Sequence, residues 1–279
     1  MKERFLSRDE LLDRIPVAHA KVPAIVELHE ADYALTRLVR ENCLVTSDDP
    51  TPLVIKGGFA VRHLYGGMRF SKDADVILRA PDLQIDGAEP SLLQVPAGME
   101  ITRESLTEAG KSWTISIHYV GTDHRGRDVT CDLNSRARAL RLPPPHPATF
   151  SSLFFDGDWS VWSAPAEEIV AEKLAALMDE RTDRIRDIFD VCTVLSATPD
   201  RWNASQARRL LNDILHILGA KRIAPPEDLV AAVHEVSDDE AAETACTSQI
   251  INVMPTRPRK LEAVVEELDG LLVDWGLTA

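Results

Sequence analysis

The sequence predicts an α+β chain, with a mixed N-terminal domain over residues 1–150 and a helical C-terminal domain over residues 151–279. Three observations predict it. Short apolar or alternating runs around Leu53, Asp73 and Trp113 are bounded by glycines and polar turns and are interleaved with helix-spaced segments. A proline-rich connection follows, with Pro143, Pro144, Pro145 and Pro147. Beyond Pro165 the apolar residues recur at helical spacing.

The elements follow in order. Ser7-Arg8-Asp9-Glu10 has the form of a capping box before Leu11 and Leu12, so a helix opens there, and Pro16 stops it. Val22, Ile25 and Val26, then Leu35, Leu38 and Val39, carry helical spacing, with Pro23 in the first turn, where its missing N–H costs nothing. Leu53-Val54-Ile55 reads as a strand that ends at Gly57-Gly58, and Val61, Leu64 and Tyr65 resume as a helix. Asp73-Ala74-Asp75-Val76-Ile77-Leu78 reads as a strand, and residues 80–98 as a loop. Trp113 to Val120 alternates in polarity and pairs through a polar turn with Val129 to Leu133 as a hairpin. Helices are expected near 165–180, 183–196, 203–219, 226–236 and 258–275.

Composition narrows the function. The 279 residues are 44% hydrophobic and 27% charged, ordinary for a soluble globular protein and enough for a sizeable core. The longest apolar stretches fall short of a bilayer span, and the N-terminus lacks a signal core, so the chain reads as cytoplasmic. Cys43, Cys131, Cys192 and Cys246 are scattered without a Cys-x-x-Cys pair, which disfavours zinc ligation and a disulfide framework alike. A net charge of −14 disfavours extensive non-specific nucleic-acid binding and suits a basic protein partner.

The residues that carry chemistry lie in several places along the chain. Asp73 and Asp75 are two apart on one strand and so project from one face. Two hard carboxylates held together suit Mg²⁺, which takes one or two of them plus substrate phosphates. Gly57 and Gly58, between strand and helix, expose backbone N–H groups to a phosphate or simply make a tight turn. Ser71 stands at the strand entrance, and Lys56 and Arg69 add positive charge nearby or are merely solvated. Asp132, on the second hairpin strand, completes a third carboxylate if its strand lies beside that of Asp73 and Asp75; otherwise it is an exposed edge-strand acid. Lys173 falls inside the apolar stripe of Ile169, Val170, Leu174 and Leu177, where it needs an anion or snorkels to water. Asp187 and Asp190 share a helix face, and their plain reading is surface ion pairs with Arg184 and Arg186.

Taken together, Lys56-Gly57-Gly58, Ser71-Lys72-Asp73-Ala74-Asp75, Glu172-Lys173-Leu174 and Arg186-Asp187-Ile188-Phe189-Asp190 resemble the AbiEii/AbiGii nucleotidyltransferase toxins, which include the mycobacterial MenT proteins, over about residues 50 to 195. The resemblance implies a polymerase-beta-like nucleotidyltransferase domain with a helical C-terminal domain. It implies an enzyme that uses an NTP with Mg²⁺ and adds nucleotides to the 3′ end of tRNA, as the toxin of a toxin–antitoxin or phage-defence pair with a cognate antitoxin. By position, Gly57, Gly58 and Ser71 would hold phosphates, Asp73, Asp75 and Asp132 would hold metal, Lys173 and Asp187 would serve the nucleotide, and Asp190 would be the late essential acid. The rival readings are NMP transfer to a protein hydroxyl and a non-catalytic interaction module.

Overall fold

The computed structural model describes residues 5–46, 53–79, 92–106, 112–134, 143–177, 185–198, 203–217 and 261–274. Cys246 and the helix expected near 226–236 lie outside them.

The chain opens with α1 (Arg8–Arg14), whose cap is the expected box: the Ser7 side chain accepts from the Glu10 backbone N–H, and the Glu10 carboxylate accepts from the Ser7 backbone N–H. A short turn of helix, α2 (Val17–Ala20), leads to α3 (Pro23–Cys43), with Pro23 in its first turn. Most of α3 is buried, including the polar His29, Glu30, Asp32 and Thr36. It packs against β1 (Leu53–Lys56), β2 (Asp73–Leu78), β5 (Gly126–Asn134) and β7 (Trp159–Ser163). Between β1 and β2 runs α4 (Gly57–Tyr65).

These strands join β3 (Met99–Leu106), β4 (Ser112–Val120) and β6 (His146–Phe150) in one seven-stranded mixed sheet of order β3-β4-β5-β2-β1-β7-β6. β2 runs parallel to β5 and β1 parallel to β7, while the other neighbours are antiparallel. The alternation of β4 and β5 is realised as burial: Ile115, Ile117, Tyr119, Val129, Cys131 and Leu133 point into the core, and Thr114, Ser116, Thr130 and Asp132 are half-buried on the other face. Strands β3, β6 and β7 were not expected; β6 and β7 occupy the stretch where only a stiff connection and the onset of helix were read.

The helical part contains α5 (Ala166–Leu177), α6 (Ile185–Ala197), α7 (Ala204–Ile217) and a last helix, Leu261–Asp274. All four match ranges the spacing predicts, α6 running one residue past the expected 196. α5 packs against α6 and α7, and α6 against the last helix, through Ile169, Val170, Leu174, Ile188, Val191, Leu195, Leu210, Val264 and Leu268, all fully buried or nearly so. Burying a residue of this kind contributes roughly 1.5–3 kcal/mol.

Two compact units result. The first is residues 1–64, 70–141 and 145–164 and holds the sheet with α1 to α4; the second is residues 65–69, 142–144 and 165–279 and holds the later helices. No helix among the described residues is long and apolar enough to cross a membrane. Cys43, Cys131 and Cys192 are buried free thiols, and burial pushes the first two well up from their ordinary range.

Candidate active site in the first unit and a buried ion cluster in the second

The first unit gathers its acids by strand register. Asp73 and Asp75 alternate with buried Ala74 and Val76, so both lie on the face opposite that core contact, half-buried. In the parallel β2–β5 pair, Asp75 stands opposite Asp132 and Asp73 opposite Thr130. Strand β5 is an interior strand, with β4 on its other side, so Asp132 is not an edge acid. On the other side of β2, Asp75 stands opposite Lys56, which is buried at the end of β1. One row across the sheet therefore reads Thr114, Asp132, Asp75, Lys56. Register partners of this kind have Cβ atoms about 5 Å apart.

Hydroxyls hold two of these carboxylates. Ser71 Oγ donates to Asp73 Oδ1 at 2.9 Å, and Thr114 Oγ1 donates to Asp132 Oδ1 at 2.6 Å. Ser71 is thus engaged with the acid two residues on, and Phe70, fully buried just before it, anchors the entry to β2. Among the described residues no three His, Cys, Asp or Glu side chains converge closely enough to cage a metal by themselves. The donor set nonetheless fits Mg²⁺, which keeps several waters and is commonly held by one or two carboxylates with substrate phosphates.

The glycine pair follows directly. Gly57 begins α4 at φ 69°, a left-handed conformation that side chains disfavour. A Cβ placed on it would also collide with the carboxylate of Asp75. Two constraints, conformation and space, thus require glycine there, and they bring the start of α4 against the acid row. Phe59, next after the pair, is buried against the rings of His63 and Phe150 and secures α4 to the core.

A polar cluster that sequence reasoning missed braces α4. Asp32 of α3 accepts from Arg62 Nε at 3.2 Å and pairs with His63 Nε2 at 3.0 Å. The Arg62 guanidinium lies 3.7 Å from the centre of the Phe70 ring, and His29 meets the same ring edge-on. The Asp32 carboxyl is lowered: burial opposes its charge, but His63 and Arg62 outweigh burial. Burial lowers the His29 imidazole to about 4, with Arg62 and His19 adding to the effect and Asp32 opposing it. A lone Asp within a helical stripe carries no signal in sequence beyond its being out of place.

In the second unit, Lys173, Asp187 and Asp190 do converge. Lys173 Nζ lies 2.7 Å from Asp187 Oδ1 and 2.6 Å from Asp190 Oδ2, and Arg69 grips Asp190 with Nη2 to Oδ2 at 2.7 Å and Nε to Oδ1 at 3.3 Å. Asp187 and Asp190 are 2% and 3% exposed. The surface placement of these two acids is therefore corrected: both are interior, with Lys173 pairing with both and Arg69 with Asp190; Arg184 lies outside the described residues. Lys173 finds its anion in these carboxylates rather than snorkelling, and Arg69 is paired rather than merely solvated. Burial opposes the charge on Lys173, but Asp190 and Asp187 hold its ammonium above the ordinary range; Lys173 and Arg69 likewise hold Asp190 below its range.

Comparison with known proteins supplies the context. The family model described as "Nucleotidyl transferase AbiEii toxin, Type IV TA system" matches residues 37–267. Among solved structures, the chain is similar to MenT4, a nucleotidyltransferase toxin from Mycobacterium tuberculosis H37Rv, at 17% identity and a TM-score of 0.60, covering 97% of this chain and 90% of that one. At that identity the likeness speaks for the fold. No curated protein matches the sequence significantly.

Proposed function

The chain belongs to the AbiEii nucleotidyltransferase toxin family, and on that premise we propose that it transfers a nucleoside monophosphate from an NTP to the 3′ end of an RNA, with tRNA as the acceptor. The acceptor hydroxyl gives up its proton to water as its oxygen forms a bond to the α-phosphorus, the bond from that phosphorus to the bridging oxygen of the β-phosphate breaks, and pyrophosphate leaves. The observation that carries this reading is the acid row: Asp73 and Asp75 on one face of β2, with Asp132 in register on β5.

Asp73 and Asp75 would hold Mg²⁺, with Asp132 completing the set; the ion would supply charge neutralisation at the phosphates and lower the cost of the charge that develops there. The protein's own part is placement. The amides of Gly57 and Gly58 at the start of α4 offer donors to the phosphates, and Lys56 adds positive charge at the end of β1. Ser71 keeps Asp73 in place. As the toxin half of a toxin–antitoxin or phage-defence pair, the protein would have an antitoxin as its partner, and we take it to act in the cytoplasm.

A net charge of −14 favours a second reading, NMP transfer to a hydroxyl of a protein acceptor. One experiment separates the two. Purified protein is incubated with total tRNA, Mg²⁺ and each α-labelled NTP beside the Asp75→Asn variant. Label on tRNA with the wild type alone supports the RNA reading; label on protein supports the second. Turnover retained by Asp75→Asn overturns the assignment of the site.

A further inference from the structure

We propose that Thr114 is a positioning residue for the transfer site, holding Asp132 in the orientation in which it serves that site. The inference rests on the reading above, in which Asp132 is the third carboxylate.

Three observations carry it. The first is geometry: Thr114 and Asp132 are direct register partners across β4 and β5, and the 2.6 Å separation lies in the range of a hydroxyl donating to an ionised carboxylate. The second is place. Asp132 has Thr114 on one flanking strand and Asp75 on the other, so the bond to Oδ1 holds the carboxylate from the β4 side, with Asp75 in register on the β2 side. The neighbouring acid on this strand, Asp128, also has a cross-strand partner, His118, at 2.9 Å, but its side chain is 60% exposed, and the β2–β5 pairing begins only at Thr130.

The third is the nature of the donor. A hydroxyl orients a carboxylate without cancelling its charge, whereas a lysine or arginine would neutralise it. Asp73 is treated in the same way by Ser71. Two acids of the row are thus steered by neutral donors and keep their charge for a cation. The strand also makes Thr114 more than a chance hydroxyl: a valine has the same shape and suits a β-strand equally well, so packing alone does not call for threonine.

The test uses Mn²⁺ as a paramagnetic stand-in for Mg²⁺, with binding to the full chain followed by electron paramagnetic resonance. Thr114→Val, Thr114→Ala, Thr114→Ser and Asp132→Asn are compared with wild type, and melting temperatures are recorded alongside. Removing an outer-sphere partner of a metal-holding group typically weakens metal affinity by about 10–100-fold. Thr114→Val should therefore weaken Mn²⁺ binding at least about tenfold and raise the Mg²⁺ needed for half-maximal NTP turnover by a similar factor, at an unchanged melting temperature. Thr114→Ser should restore both. Should Thr114→Val not fold, Thr114→Ala gives the same reading. Wild-type Mn²⁺ binding in Thr114→Val, beside weakened binding in Asp132→Asn, overturns the inference and leaves the proposed site standing. Equal weakening in Thr114→Ser and Thr114→Val also overturns it, because the hydroxyl is then not what matters. Unaltered binding in Asp132→Asn removes Asp132 from the site, and the inference falls with that part of the reading.

Discussion

Asp73 and Asp132 in the first unit each accept a hydrogen bond from a hydroxyl and remain half-buried, whereas Asp187 and Asp190 in the second are almost fully buried against Lys173 and Arg69. The same residue type is thus kept in two electrostatic conditions. An acid steered by a neutral donor retains its demand for a cation, and an acid closed into an ion cluster has met it. Removing one partner of a buried cluster strands a charge away from water, while removing a hydroxyl only releases an orientation.

The largest expected effect tests the second condition. Lys173→Met removes the ammonium that pairs with both Asp187 and Asp190 and should destabilise the helical unit by about 3–5 kcal/mol, measured by urea denaturation. Adding Asp187→Leu to it should recover part of that loss, since a hydrophobic replacement of a buried pair is often tolerated. No recovery would mean that the cluster is not the structural element described.

Gly57→Ala comes next. Its left-handed backbone costs about 1–2 kcal/mol for a side chain, and the added methyl displaces the Asp75 carboxylate. Turnover should fall at least about a hundredfold, in proportion to a misplaced reacting group, and a variant of wild-type kcat would break the link drawn between the glycine pair and the acid row.

The two regions should also answer acid differently. In the unfolded chain His29 takes its proton near 6.5 and in the folded unit only near 4, so between those values the unfolded state binds more protons and stability falls on acidification. The loss is roughly 3.5 kcal/mol at about 1.4 kcal/mol per pH unit, and His29→Phe should flatten it. Asp190 is held below its ordinary value, so its contribution is full above the unfolded carboxylate range and is lost only as pH falls below about 4. Urea denaturation at a series of pH values separates the two steps. As the smallest effect, Ser7→Ala should cost about 1 kcal/mol through the lost cap and leave both acid steps where they are.

Much of this was legible in the residues. The strand–glycine–helix sequence at Leu53 to Tyr65 and the one-face placement of Asp73 and Asp75 follow from local conformational rules, and the structure has both. The neighbour of β2 was open from sequence, because parallel pairing is decided by tertiary contact, and with it the register that sets Thr114 beside Asp132. β6 was hidden by Pro147, which a strand accepts at the edge of a sheet, where β6 lies. β3 was hidden because most of its residues are exposed on both faces and give no alternation to read. The inward face of α6 was hidden because Arg184 and Arg186 stand at helix spacing from Asp187 and Asp190, whereas the interior partners Lys173 and Arg69 come from elsewhere in the chain.

The parallel β2–β5 pairing also bears on timing. Asp75 and Asp132 come from strands far apart in the chain, and the antiparallel β4–β5 hairpin can form without β2. Long-range parallel pairing is among the slower events of folding, since loop-closure entropy is spent before the contact is gained. The acid row is then absent from a chain that has made only its local contacts, and on the proposed function a newly made chain would be armed only once β2 and β5 have paired. Stopped-flow refolding followed by nucleotide transfer would show activity returning with the slowest phase; activity that preceded that phase would put the arming step elsewhere. Such a delay would give an antitoxin time to meet the chain before any nucleotide is transferred.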